Sequence, residues 1–346
     1  MKIFYFSGTG NAKKTANWIL EYASQNNIKA EVSDITKSNP DSLIVSTEDI
    51  IGFISPTHGF NFPPIMLSFL LHFPATKNRN KVFIINTRAG MKFKKLYFPG
   101  LSGIAQLFSA LILLFKGYKI VGMMPIDLPS NWISLHPGLS DNAIKDIFER
   151  CKTKTINFAK KIIKGERSYI ALHDIIQDLL LAPVSVLYYC IGRFVFAKSY
   201  IATSGCDNCG LCINQCPVKA ISIKNNKPFW SYKCESCMKC MNNCPRRAIE
   251  TAHGFVIGTC YLVNVFLISY LYNFCRQNSI EVITGNSLFS GVIRFIIEPA
   301  ILISILIISY RIVHFLKQFS FFEKVIVYTS LTKYKFWRRY KAIKNI

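Results

Sequence analysis

Eight of the chain's twelve cysteines fall between Cys206 and Cys244, in two runs of one spacing. Cys206-x2-Cys209-x2-Cys212-x3-Cys216-Pro217 comes first, and Cys234-x2-Cys237-x2-Cys240-x3-Cys244-Pro245 repeats it. Such crowding argues for metal ligation over a disulfide framework. Three closely spaced thiolates wrap three corners of an iron–sulfur cube, and this spacing is the bacterial run for [4Fe–4S] clusters. Structural zinc is the rival reading. It takes four ligands per ion, usually as two spaced pairs, and fits two runs ending in Cys-Pro far less well. Pro217 and Pro245 turn the backbone away after the fourth ligand. The repeat reaches past the cysteines: Cys206–Ile223 aligns with Cys234–Thr251 at an offset of 28 positions. Two copies of a small unit are therefore present, each too short to fold unaided. Cys151, Cys190, Cys260 and Cys275 have no partner spacing and are expected to be buried small apolar side chains.

A length of 346 residues leaves room for two or three domains. Residues 1–164 alternate between short apolar strands and helices. Strands are expected at Ile3–Phe6, Lys29–Ile35, Ile50–Ile54, Lys81–Thr87 and Lys119–Ile126. Helices are expected at Ala12–Ser24, Pro64–Phe73, Leu101–Phe115 and Asp141–Lys164. Leu101–Phe115 is apolar almost all round and too short to span a bilayer, so it reads as a buried core helix. The alternation predicts an α/β doubly wound parallel sheet covered on both faces, with five strands in the order 2-1-3-4-5.

Three loops meet at the ligand-binding edge of such a sheet. Ser7-Gly8-Thr9-Gly10-Asn11-Ala12 joins the first strand to the first helix. Its hydroxyls, glycines and backbone N–H groups make a phosphate cradle. It lacks the Gly-Lys-Ser/Thr ending of a P-loop, and Lys13 stands where a dinucleotide fingerprint needs its third glycine. Pro56-Thr57-His58-Gly59-Phe60 follows the third strand, and Asn86-Thr87-Arg88-Ala89-Gly90 the fourth.

The C-terminal third has a different composition. The chain is 51% hydrophobic with mean hydropathy +0.26, which excludes disorder and is high for a purely soluble protein. Gly254–Cys275 carries no charged residue and is long enough to span a bilayer. Leu288–Tyr310 is a second candidate. It holds Arg294 and Glu298 as an i,i+4 pair, with Pro299 a source of kinking. A transmembrane helical hairpin is the expectation, against two core helices of a globular cap. Leu179–Ala197 contains Pro183 and Arg193 and reads as amphipathic helices rather than a further span.

Lys and Arg number 42 against 19 Asp and Glu, a formal charge of +23. About a third of the surplus lies beyond Tyr310, where basic residues mix with Tyr, Phe and Trp (Lys333–Lys341, KYKFWRRYK). That mixture suits an anionic membrane surface. No nucleic-acid partner is expected, because no recognised nucleic-acid fold accompanies the tail. The Arg276–Ser287 connection is short and nearly neutral, so the positive-inside rule puts the tail in the cytoplasm. Two spans return the chain to the side where it began. No signal peptide is visible after Met1, which agrees with a cytoplasmic N-terminal region.

Residues 204–252 look like a bacterial two-cluster ferredoxin. The resemblance implies that the fourth cysteine of each run serves the other cluster. Cluster one would use Cys206, Cys209, Cys212 and Cys244, and cluster two Cys234, Cys237, Cys240 and Cys216. Ser7–Ala12 resembles the FMN phosphate loop of flavodoxins, commonly Thr/Ser-x-Thr-Gly-Asn-Thr, with Ala12 in place of the final hydroxyl. By that likeness the two later loops would sandwich the flavin ring, with Phe60 or His58 stacking on it and the Thr87–Gly90 backbone meeting its polar edge. Phe60 and Phe62 read equally well as core aromatics. Residues 1–252 as a whole resemble the flavodoxin–ferredoxin fusions of the family called EFR1, on Phe6–Asn11, the loop after strand three, Met124–Trp132 and the double cysteine run.

The expected organisation is a flavodoxin-like domain (1–164), a helical connector (165–203), a small α+β 2[4Fe–4S] ferredoxin domain (204–252), a transmembrane hairpin (253–316) and a basic cytoplasmic tail (317–346). The expected function is a membrane-anchored electron-transfer protein with two [4Fe–4S] clusters and FMN. Its partner would be a redox protein or a membrane electron acceptor. A flavin-dependent reductase of a small acceptor, and a redox sensor whose flavodoxin-like domain is empty, are the alternatives. No positioned nucleophile or acid–base pair points to a particular catalytic reaction.

Overall fold

The computed structural model describes residues 1–278, 285 and 287–337. It divides into two compact units. The first comprises Met1–Tyr189 and Glu235–Asn243 with the chain from Lys335 onward; the second comprises Cys190–Cys234 and Cys244–Tyr334.

The first unit is built on β1 (Lys2–Tyr5), β2 (Glu31–Asp34), β3 (Ile51–Pro56), β4 (Lys81–Phe93), β5 (Leu96–Phe98), β6 (Lys119–Pro129) and β7 (Ser168–Tyr169). Six strands pair in the order β2-β1-β3-β4-β6-β7, every pair parallel, and β5 folds back antiparallel on β4. The first five parallel strands reproduce the expected flavodoxin-like order. Their central members read as unbroken apolar runs because both faces are covered. On one face α1 (Asn11–Gln25) and α4 (Asp141–Ile163) pack Ala16, Trp18, Ile19, Phe148 and Phe158 against Ile3, Phe83 and Met124. On the other, α2 (Pro64–His72) and α3 (Ala105–Phe115) pack Met66, Phe69, Leu70 and Leu113 against Phe4, Phe53 and Ile84.

Three expectations are corrected here. Asn86–Gly90 is not a loop. It lies within β4, which pairs with β3 as far as Thr87 and with β6 as far as Gly90. Two-sided pairing carries the strand past the point where its apolar pattern stops. Second, α3 is not buried all round. Ala105, Ser109, Ile112 and Leu113 face the sheet, while Phe108, Leu111, Leu114 and Phe115 are exposed. A helix on the outside of a sheet has only one face to bury. Third, the unassigned cysteines differ: Cys151 and Cys275 are buried, Cys260 is half-buried and Cys190 is exposed.

The second unit contains two antiparallel ladders, β8 (Tyr200–Ala202) with β11 (Ile249–Thr251) and β9 (Ile221–Lys224) with β10 (Lys227–Trp230). Their small core needs help. Ile201, Phe229 and Ala252 close around Tyr310, with Phe255, Ile326 and Val327 packed at the edge. Tyr310 comes from the long helix Leu288–Leu316 and donates its hydroxyl proton to the Tyr200 carbonyl at 2.8 Å. Just beyond the helix Lys317 Nζ donates to the Ala202 carbonyl at 2.7 Å. The Thr251 N–H donates to Thr332 Oγ1 at 3.0 Å.

Two helices are long and apolar enough to cross a membrane, His253–Gln277 with 25 residues and Leu288–Leu316 with 29. At 1.5 Å per residue they run about 37 and about 43 Å, against roughly 30 Å of hydrocarbon. Only 6% of the apolar stretch of each is buried in protein. Arg294 hydrogen-bonds the Tyr272 hydroxyl on the neighbouring helix, not the Glu298 expected from helical spacing. Ile170–Leu180 and Ala182–Ala197 are bent by 71° at the break between them. Most of the nearly neutral 276–287 connection, and Arg338, Arg339, Lys341 and Lys344 of the basic tail, lie outside the described residues. Trp337 is engaged with protein, its indole N–H donating to the Ile133 carbonyl at 2.7 Å.

Candidate functional site

At the C-terminal edge of the parallel sheet a cleft of about 570 Å³, open mouth included, is lined by residues from five segments. Ser7, Gly8, Thr9, Asn11 and Ala12 come from the β1–α1 loop and the start of α1. Pro56, Thr57 and His58 follow β3, and Thr87, Arg88 and Ala89 come from β4. These eleven were expected from sequence. The expected Gly10, Gly59, Phe60, Asn86 and Gly90 do not line it. Gly59 instead lies against the Tyr188 ring, and Phe60, with φ of 65°, against Gly103. Asn86 is a buried tie, donating to Thr57 Oγ1 at 2.8 Å and Ser102 Oγ at 3.0 Å.

The β1–α1 loop is shaped for an anion. Gly10 has φ of 102°, a conformation that glycine adopts without steric cost, and its N–H donates to Ser7 Oγ at 3.0 Å. No side chain caps α1, so its first turn keeps N–H groups directed at the loop. Asn131 Nδ2 donates to Thr9 Oγ1, and Asn11 Nδ2 to the Pro129 carbonyl at 2.9 Å. These bonds tie the loop to the end of β6.

A planar slot adjoins this cradle. His58 and Trp132 lie 6.4 Å apart, centroid to centroid, with their planes 27° from parallel. Burial pushes the His58 imidazole down to about 4, against a smaller opposing contribution from a backbone hydrogen bond with Glu235. The ring is therefore neutral near pH 7. Arg88 is not a free cation for a ligand. Its Nε donates to Asp127 Oδ1 and its Nη1 to Asp174 Oδ2, each at 2.6 Å. Burial works against the Arg88 charge, but Asp127 and Asp174 outweigh it and raise its pKa.

Further residues complete the walls: Pro129 at the end of β6 with Ser130, Asn131, Trp132 and His136 after it, and Ser236, Cys237 and Met238 from the second cysteine run, of which sequence reasoning gave only Cys237 a role, as a cluster ligand. The first group was findable, since β6 ends at the same sheet edge as β1, β3 and β4. Nothing in the sequence signals the second. A Cβ added to Gly8 would collide with the Cys237 carbonyl, so the cradle and the cysteine loop are in van der Waals contact. Asn242 Nδ2 donates to the Asn131 carbonyl at 3.3 Å, and Ser134 Oγ to Met238 Sδ at 3.5 Å. Three buried polar atoms of lining residues, His58 Nδ1, Asn131 Oδ1 and Ser236 Oγ, have no protein hydrogen-bond partner. A phosphorylated planar ring fits these walls, with anion donors at one end, flat aromatic faces beside them and unspent polar atoms around the slot.

The cysteine runs repeat in conformation as well as in sequence. Asn208, Gly210 and Lys219 have φ of 57°, 74° and 48°; their counterparts 28 positions on, Ser236, Met238 and Arg247, have 54°, 60° and 50°. The Ala220 N–H donates to Cys216 Sγ at 3.2 Å, and the Ala248 N–H to Cys244 Sγ at 3.3 Å. Left-handed turns aim backbone donors at sulfur, which stabilises thiolate and tunes a bound cluster. In the second unit, burial pushes the Cys212 thiol up to about 11, with the nearby charges of Cys206, Cys244 and then Cys209 adding to it. Cys244 of the second run thus shares a neighbourhood with the first three cysteines of the first run.

Residues 205–249 match the 4Fe-4S dicluster domain family. Iron–sulfur clusters are the cofactors of this segment. Among solved structures, the chain is similar to oxidised flavodoxin 1 from Bacillus cereus, at 20% identity over 46% of this chain and 96% of that one, with a TM-score of 0.31. Two-electron reduced flavodoxin from Megasphaera elsdenii matches at 18% identity over 46% and 98%, with a TM-score of 0.30. Rubredoxin:oxygen oxidoreductase from Desulfovibrio gigas matches at 14% identity over 47% of this chain and 36% of that one, with a TM-score of 0.31. No curated protein matches the chain.

Proposed function

We propose that this chain is a membrane-anchored electron-transfer protein, relaying electrons between FMN in the cleft of the first unit and two [4Fe–4S] clusters on the cysteine runs. The observation that carries the reading is the cleft itself, a phosphate cradle and an aromatic slot with a cysteine of the second run in its wall. Ser7, Gly8, Thr9 and the first turn of α1 would hold the phosphate, and the aromatic edge formed by His58 and Trp132 would lie beside the ring. When bound, FMN supplies the exchange between two-electron and one-electron chemistry, two cluster electrons balancing one fully reduced flavin. The chain's own residues bind and orient it. Neutral His58 adds no charge beside the ring, and the paired Arg88 leaves the polar edge to the backbone of β4. The cysteine runs divide between cluster one on Cys206, Cys209, Cys212 and Cys244 and cluster two on Cys234, Cys237, Cys240 and Cys216.

The two long apolar helices anchor the protein, with both redox units and the basic tail on the cytoplasmic side. The electron partner is a redox protein or an acceptor in the membrane, and the exposed basic residues of the tail, Lys324, Lys333 and Lys335 among them, meet anionic lipid. This organisation is that of an EFR1-type fusion with an added membrane module. Iron and flavin content per chain, after anaerobic purification in detergent, tests the reading. About eight iron with one FMN is the expected result. Full iron with no flavin, even after FMN is added, would leave a membrane iron–sulfur protein with an empty cleft and overturn the relay.

A further inference from the structure

The second cysteine run belongs to two structures at once. Its cysteines are spaced for a cluster, yet the stretch Glu235–Asn243 is part of the first unit, where it walls the cleft. The equivalent stretch of the first run, 28 positions earlier, lies in the second unit. Two copies of one cysteine spacing therefore have different surroundings.

We propose that the second run is the closing wall of the FMN site, so that Cys237 and Cys240 carry a cluster on the flavin side. Cys237 is the residue at which the two cofactor sites meet. The inference rests on the flavin reading of the cleft. Four observations carry it. Gly8, in the middle of the phosphate cradle, has room for no side chain because Cys237 stands against it. Ser236, Cys237 and Met238 line the cleft. Asn242 and Met238 fasten the run to the β6–α4 loop through the Asn131 carbonyl and Ser134 Oγ. Met238 holds φ of 60° where the first run has Gly210 at 74°. A side chain in that conformation costs about 1–2 kcal/mol, and here it supplies a wall that glycine would leave open. Met238 is thus a positioning residue for the flavin site, at a position where the first run has glycine.

Binding is then linked. Metal on Cys237 and Cys240 fixes the loop that completes the cleft, so cluster assembly favours FMN binding and FMN favours cluster retention by the same factor.

The test uses the full chain in detergent, purified anaerobically, reconstituted with iron and sulfide, and titrated with FMN. Cys240→Ala and Cys209→Ala should each lose about half of the eight iron. Only Cys240→Ala should also weaken FMN binding and shift the midpoint potential of the flavin. Met238→Ala should keep all the iron and still shift that potential. An equal flavin response in Cys209→Ala, or a response there alone, would overturn the assignment, as would an unchanged flavin in both Cys240→Ala and Met238→Ala. Gly8→Ala supplies a readout without flavin. Its methyl must displace Cys237, so iron should fall by about half before FMN is added, and full iron would refute the contact. Wild-type protein that takes up no FMN, while Gly8→Ala still loses iron, would sink the flavin reading and leave the cysteine-loop contact standing.

Discussion

Small differences at single positions carry much of this site. Ala12 sits at the first turn of α1, lining the cleft where the flavodoxin loop usually ends in a hydroxyl. A charge-assisted hydrogen bond contributes about 1.5–3 kcal/mol, so Ala12→Ser should tighten FMN binding roughly tenfold or more, measured by fluorescence titration. His58 gives a pH dependence of known sign. Its pKa falls from 6.5 to about 4 on folding. The unfolded chain therefore binds the proton more readily, and the stabilisation is fully present above about 6.5 and lost as pH falls toward 4. The difference corresponds to about 3 kcal/mol at most. Wild type should lose more thermal stability than His58→Gln between pH 7 and pH 4; parallel losses would refute the assignment. The cradle was legible at this scale because its residue types and order state their chemistry. Cys237 against Gly8 was not, because no pattern in either segment refers to the other.

At the scale of elements, neighbours decide what local pattern leaves open. Asn86–Gly90 reads as a loop because polar residues end the apolar run, yet pairing with β6 keeps it in β4. Arg88 is tolerated there because Asp127 and Asp174 neutralise it. The helix Leu288–Leu316 reads as a membrane span throughout. Its C-terminal end does a second task, since Tyr310 is 1% exposed in the core formed by β8 and β10. Tyr310→Ala should lower the stability of the second unit by about 3–5 kcal/mol, the usual cost of deleting a large buried aromatic. The readout is the temperature at which the cluster absorption bleaches. For the same reason a chain ended at residue 252 should fail to hold its clusters, because it removes Tyr310, Lys317 and Thr332 together. Loss of membrane binding by that truncation therefore reports unfolding as well as a missing anchor. Retention of full cluster absorption by the truncated chain would contradict the packing.

For the whole molecule, the long apolar helices set the behaviour in solution. An exposed apolar surface of that length is unusual for a soluble protein and is covered by lipid when the helices span. The full chain should float with vesicles and resist extraction by high salt and alkaline carbonate. Release by salt alone would mean that the +23 charge, and not the helices, holds it to lipid, because screening removes surface attraction and leaves apolar burial intact.

Cluster spacing, loop composition and most of the alternation of strands and helices are legible in the sequence alone. Cysteine spacing, cradle order and apolar periodicity are local properties, and local properties survive in a one-dimensional string. The 28-position repeat is matched in the structure by left-handed turns at Asn208 and Ser236. Assignment comes from the fold. It determined which cysteine run walls the cleft, which strand carries Arg88 and which helix fills the core around Phe229. Those outcomes depend on contacts between segments far apart in the chain. Two runs of the same spacing are equivalent as sequence until the fold gives each its own surroundings.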